Sequence, residues 1–280
     1  MKYKIIAFDL DGTLLNDVKE IPDENLRMLH RAAECGVQLV PATGRIYPGL
    51  PEQLRALPFV RYCICVNGAQ VYDAWEKKAI CRAEIPAARA IELAEFMDGL
   101  PVIYDCYQDD WGWMSGSMYA KIDEYISDPG VALLTKKTRT AVDDLKATLR
   151  ERGTPVQKMQ MHFSDPAQRL AELPALWPDI SVTSSISSNI ELNSLEANKG
   201  AALKTLCGLL GVGIEETLAF GDGSNDLTML SAAGTGAAML NASDKVKAAA
   251  DIVTEADNNC AGIAQTVYRL MPEIGGACDE

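Results

Sequence analysis

The sequence predicts an α/β fold: a parallel-sheet core with helices on both faces, interrupted by an inserted α+β domain. Three observations lead there. Short, uniformly apolar runs alternate with helical patterns toward both ends of the chain, small polar residues close those runs, and the middle of the chain has a different texture. Apolar strands separated by helices belong to a sheet buried on both faces. The expected organisation is residues 1–83 as the first part of the core, 84–190 as the insert and 191–280 as the second part of the core.

The elements follow in order. Ile5–Phe8 reads as a strand, Asp23–Cys35 as a helix, and Val37–Ala42 and Cys63–Val66 as two more strands. In the insert, VIYDCY, WGWM, PVQKMQMHF and SVTSSIS read as exposed strands with aromatic and polar alternation, and Ala87–Met97 and Ala141–Arg152 read as helices. After position 199 the first pattern returns. Ala201–Leu210 is helical, Thr217–Phe220 a strand, Asp226–Ala233 a helix and Gly236–Met239 a short strand.

Composition narrows the function. A formal net charge of −13 argues against nucleic acid as a partner, because duplex phosphates need a basic surface. A small anionic substrate stays open, since a few cations inside a cleft can dominate the local field. No apolar run is long enough to span a bilayer, and no apolar signal segment opens the chain, so a cytoplasmic location is expected. The eight cysteines include no CxxC pair and only two histidines accompany them, which points to reduced cysteines, mostly in the core, rather than a zinc site.

The chemistry gathers where the apolar runs stop. Phe8 gives way to Asp9, Ala42 to Thr43, Val66 to Asn67, and Phe220 to Gly221 and Asp222. In a Rossmann-like parallel sheet these strand ends share one edge, the edge where open α/β folds bind ligands. Any one of them also reads as a helix cap; the set together reads as a site.

Asp9 and Asp11, two positions apart, face one pocket if the chain turns at Gly12. Carboxylates so close repel unless a cation or a proton sits between them, and oxygen-only ligands suit Mg²⁺. One carboxylate can then attack phosphorus while the other trades protons. Thr43 and Gly44 offer a hydroxyl and an approachable backbone N–H to a phosphate. Lys199 stands in the first turn of a helix, opposing the macrodipole, a poor place for a structural cation but a useful one for neutralising phosphoryl charge. In GDGSND, Asp222 can complete a metal site begun by Asp9, and Asp226 can orient the lysine or bound water. An EF-hand does not fit, because no 12-residue loop closes on a Glu.

These motifs resemble the haloacid dehalogenase-like superfamily and, within it, the Cof-type phosphatases. FDLDGTLL at 8–15, TGR at 43–45, the NKG lysine at 199 and GDGSND at 221–226 occur in the family's order, with VNGA at 66–69 and AMLNASDKVKAAADIVT at 238–254 in support. The resemblance implies Asp9 as nucleophile and Asp11 as acid/base, with the Asp11 backbone carbonyl also on Mg²⁺. It implies Asp222 as the third protein ligand of the metal, Thr43, Gly44, Lys199 and Asn225 around the phosphoryl group, and Asp226 in support. Only 34 positions separate Asp9 from Thr43, while 156 separate Thr43 from Lys199, so the insert lies in the second interval. That is similar to a type-two cap of the C2B variety. Leu240 stands where this branch often has glycine, and Cys260 where aspartate usually precedes the Gly262 segment, changes that bear on packing near the rim.

The expected activity is hydrolysis of small organic phosphate monoesters, such as sugar, nucleotide or cofactor phosphates. A phosphotransferase or phosphomutase using the same aspartyl-phosphate is the alternative. A non-enzymatic phosphate-ligand binding protein is the third reading, although Asp9, Asp11 and Lys199 are all present. Candidate substrate contacts are Arg45, Tyr47 and Asn67, with Trp111, Trp113, Tyr119, Lys158 and His162 in the insert, where aromatic residues more often serve the core.

Overall fold

The computed structural model describes residues 1–163, 166–184 and 189–275. The chain forms two compact units: Met1–Gly44, Pro51–Cys81 and Asn198–Glu280 make up the first, Arg45–Leu50 and Arg82–Ala197 the second. In chain order the strands are β1 (Ile5–Phe8), β2 (Gln38–Pro41), β3 (Tyr62–Cys65), β4 (Gln70–Asp73), β5 (Lys78–Arg82), β6 (Ile103–Gln108) and β7 (Trp111–Ser115). They continue with β8 (Arg139–Val142), β9 (Val156–His162), β10 (Ile180–Thr183), β11 (Asn189–Ser194), β12 (Thr217–Gly221), β13 (Thr235–Ala238) and β14 (Ile252–Val253).

The first unit is built on a parallel sheet in the order β14–β13–β12–β1–β2. All four residues of β1 are buried, so it reads in sequence as an unbroken apolar run. Ile5 and Ala7 on one face pack against Ala202, Leu203 and Leu206 of the helix Lys199–Leu210. This parallel core, with an inserted α+β unit, is the fold class the sequence predicts. Cys63–Val66 was expected alongside the parallel strands; β3 does meet the main sheet through the parallel bridge Ala42–Ile64, and it also pairs antiparallel with β4. The cause is local: Val66, Asn67 and Gly68 all take positive φ and turn the chain straight back on itself.

The second unit holds a sheet in the order β10–β11–β9–β6–β7–β8, antiparallel except for β7 with β8. The expected boundary at 190 falls inside β11, which pairs with β9 and β10, and the unit runs on to Ala197. Within the expected helix Ala141–Arg152, β8 occupies the first two residues; the helix starts at Leu145, where the Asp144 carboxylate accepts from two backbone N–H groups. Residues 185–187 of SVTSSIS lie outside the described residues.

The central strands of the insert are not exposed. Every residue of β6 and β9 is buried. On one face Tyr104, Cys106, Met159, Met161, Ile190 and Leu192 pack against the helices Ala87–Met97 and Leu145–Arg152. On the other, polar side chains pair among themselves. Arg139 Nε donates to Asp105 Oδ1 at 2.9 Å, Lys158 Nζ to Glu191 Oε1 at 2.6 Å, and Gln160 lies 2.8 Å from His162 Nε2. Sequence alternation marks such residues as exposed because it carries no record of their partners.

Candidate active site

Asp9 leaves β1 between β12 and β2, its N–H bonded to the Phe220 carbonyl at 3.0 Å. The chain then turns over Gly12, whose φ of +79° is one that L side chains rarely adopt. A Cβ there would lie 2.4 Å from Asp222 Oδ2, so glycine also admits the neighbouring carboxylate. Thr13 Oγ1 donates to Asp222 Oδ1 at 2.6 Å and fixes the loop after β12 to the loop after β1.

Lys199 is the centre of the cluster. Its side chain is 0% exposed, and Nζ donates to Asp9 Oδ1 at 2.8 Å and Asp226 Oδ1 at 2.6 Å. Asn198 caps the helix by accepting from the Ala201 N–H at 2.8 Å, which sets the direction in which Lys199 leaves it. Asp226 Oδ2 accepts from the N–H groups of Asp222 and Gly223 at 3.0 and 2.9 Å, so both Asp226 oxygens are committed.

The remaining candidates join from the β2 and β3 side. The Thr43 N–H bonds to the Ile64 carbonyl at 2.8 Å, and the Asn67 N–H to the Thr43 carbonyl at 3.0 Å. Asn225 Nδ2 donates to Asn67 Oδ1 at 3.1 Å, linking the VNGA turn to the acidic loop. At Gly68 a Cβ would lie 2.3 Å from the Asn198 carbonyl, so this glycine lets the turn press against the residue preceding Lys199. Thus Asp9, Asp11, Thr43, Gly44, Asn67, Lys199, Asp222, Asn225 and Asp226 all belong to the first unit, and Arg45 and Tyr47 to the second. Sequence reading missed Thr13, Lys19, Asn241 and Asn258. Asn241 Nδ2 donates to the Gly12 carbonyl at 2.8 Å, a link across 229 positions that no local pattern announces. Leu240 and Cys260 are both exposed.

Asp9, Asp222 and Asp226 each offer a carboxylate oxygen, all within 4.8 Å of one another. Burial pushes the Asp9 carboxyl well above its usual range; Lys199 opposes this, while Asp226 and Asp222 add to it. Burial and Asp226 push Asp222 up to about 6. Burial works against the Lys199 ammonium, but Asp226 and Asp9 outweigh it and hold its pKa above the ordinary lysine range. Three carboxylates face one ammonium. With Asp226 committed to Lys199 and two N–H groups, Asp9 and Asp222 are the free-oxygen donors, an all-oxygen pair whose excess charge fits a small hard divalent cation.

A family model for haloacid dehalogenase-like hydrolases matches residues 6–267. The chain belongs to that family. Among haloacid dehalogenase-like relatives, the phosphatase YwpJ of Bacillus subtilis is 30% identical, covering 96% of this chain and 100% of its own. A pyridoxal phosphate phosphatase of Escherichia coli is 31% identical, covering 96% of this chain and 98% of its own. Among solved structures, a haloacid dehalogenase-like hydrolase from Bacteroides thetaiotaomicron is 31% identical with a TM-score of 0.80, covering 96% of this chain and all of that one. Another from B. subtilis is 27% identical with a TM-score of 0.83 and the same coverage. Among the described residues, no helix is long and apolar enough to cross a membrane.

Proposed function

We propose that this chain is a Mg²⁺-dependent phosphatase of small organic phosphate monoesters, and that Asp9 carries the phosphoryl group between substrate and water. The observation that carries this reading is the buried Lys199 ammonium held between Asp9 and Asp226. A cation placed there at the cost of full desolvation has its use where negative charge builds up, beside a carboxylate attacking phosphorus.

In this account Asp9 Oδ2, the oxygen not bonded to Lys199, attacks phosphorus as the bond to the leaving oxygen breaks. Asp11 gives that oxygen its proton. Water then attacks the aspartyl-phosphate, Asp11 takes the proton back, and inorganic phosphate leaves. Thr43, Gly44, Lys199 and Asn225 hold the phosphoryl oxygens, while Asp226 keeps Lys199 aimed at Asp9. Magnesium, held by Asp9, Asp222 and the Asp11 carbonyl, would supply positive charge against the phosphoryl oxygens.

Relatives are named for pyridoxal phosphate and for 5-amino-6-(5-phospho-D-ribitylamino)uracil. The test is a screen of these two compounds with sugar phosphates and nucleotides, scored for inorganic phosphate with Mg²⁺ and with chelator. Phosphate release that needs Mg²⁺ and disappears in Asp9→Asn supports the account. A rearranged phosphate ester with no free phosphate points to the mutase instead, and binding without turnover of any compound points to a binding protein.

A further inference from the structure

Lys19 has no part in the account above, yet its placement is specific. The turn after Leu15 is closed by Asn16 N–H to the Glu20 carbonyl, Lys19 N–H to the Asn16 carbonyl and Glu20 N–H to Asn16 Oδ1, each 2.9 Å. Lys19 itself takes a φ of +65°, a left-handed conformation that costs a residue with a side chain roughly 1 kcal/mol or more. The turn is braced from the other end of the chain. Asn258 Nδ2 donates to Asp17 Oδ1 and the Leu15 carbonyl at 3.2 and 3.0 Å, and Asn259 Nδ2 to Asp17 Oδ2 at 3.2 Å. What this delivers is Lys19 Nζ 2.9 Å from Asp11 Oδ1.

We propose that Lys19 is a positioning residue that holds the Asp11 carboxylate on the leaving-group side of the reacting phosphorus. The proposal rests on the phosphatase reading. In an in-line displacement the attacking and leaving oxygens lie on opposite sides of phosphorus, so the proton donor has to stand apart from the nucleophile. Asp11 does: its carboxylate lies outside the group formed by Asp9, Asp222 and Asp226, and its side chain is 38% exposed. A short side chain so exposed would sample several rotamers, and small misplacements of a catalytic group slow a reaction steeply. Fold stability does not explain the arrangement, because an exposed ion pair contributes little. Lys19 donates to Oδ1 of the carboxylate that passes a proton to the leaving oxygen and takes one back from water.

The test compares wild type, Lys19→Met, Lys19→Arg and Lys19→Gly in the full chain on two substrates. β-Glycerophosphate has an alkoxide leaving group that needs a proton; p-nitrophenyl phosphate has one that leaves without it. For Lys19→Met, kcat on β-glycerophosphate should fall about tenfold, a fraction of what general acid catalysis contributes, with KM changed less than about threefold. On p-nitrophenyl phosphate the first release of nitrophenolate should keep its rate while water attack slows, so the ratio of burst to steady-state rate rises about tenfold over wild type. Lys19→Arg should restore both values. Lys19→Gly removes the left-handed strain, so it should lose activity as Lys19→Met does without losing thermal stability. Equal losses on both substrates with no change in burst ratio, or full activity in Lys19→Met and Lys19→Gly, overturn the proposal. Failure of wild type to release phosphate in Mg²⁺ from these two substrates and from every compound of the screen sinks the phosphatase reading itself, and the Lys19 role with it.

Discussion

Replacing Lys199 by Met tests the energetics of the cluster. The side chain is fully buried, with Nζ at 2.8 Å from Asp9 and 2.6 Å from Asp226, and Met keeps most of its volume while removing the charge. Deleting one partner of a buried ion pair costs about 3–5 kcal/mol, because the other is left charged and desolvated. Here two carboxylates are left. Asp226 keeps its two backbone N–H donors, so Asp9 is the group that takes up a proton. Proton uptake limits the loss, and the limit depends on pH. At pH 7.5, without divalent cation, Lys199→Met should be less stable by about 3–5 kcal/mol, and at pH 5.5 the deficit should shrink by at least a third as a proton stands in for the ammonium. Urea unfolding followed by circular dichroism at the two pH values reads both quantities. A deficit under about 1 kcal/mol at pH 7.5, or an equal deficit at both pH values, would refute the assignment of Lys199 as the charge that holds this cluster together.

Three further outcomes follow from the geometry. Gly12→Ala forces a left-handed backbone and drives a methyl into the Asp222 carboxylate, so Mg²⁺ affinity should drop about tenfold or more; isothermal titration showing unchanged affinity would contradict it. Asp222 titrates at about 6, above its unfolded value, so its contribution to stability is present in acid and is lost as pH rises through about 6. Mg²⁺ must displace that proton, so affinity should strengthen up to tenfold per pH unit below 6 and level off above about 7, and a flat profile would count against Asp222 as a ligand. Burial holds the His162 imidazole down at about 4. That contribution is complete above about pH 6.5 and is lost as pH falls toward 4, amounting to about 3 kcal/mol. His162→Phe should therefore lose less stability than wild type between pH 6.5 and 4, and parallel curves would show that His162 is not buried neutral.

The parallel core was legible because buried strands such as β1 and β12 leave continuous apolar runs, each ending in a small polar residue at the same edge. Lys199 was legible for a different reason: a cation at a helix N-terminus is electrostatically out of place, which flags a use elsewhere. The hairpin of β3 and β4 was not, since four apolar residues look alike in either sheet and the difference lies in the positive φ of Val66 and Asn67. Lys158, Gln160 and His162 read as surface because their partners, Glu191 and Asp105 among them, come from other strands. Lys19 and Asn241 escaped notice because each acts through one bond made in space, to Asp11 and to the Gly12 carbonyl.

The central claim is that the phosphoryl group passes through Asp9, and trapping the intermediate tests it most directly. Wild type mixed with substrate and Mg²⁺, quenched in acid within the first turnover and digested, should yield the peptide containing Asp9 heavier by one phosphoryl group. Asp9→Asn should yield none. Phosphate found on another residue, or rapid turnover in Asp9→Asn with no covalent species, would contradict the account.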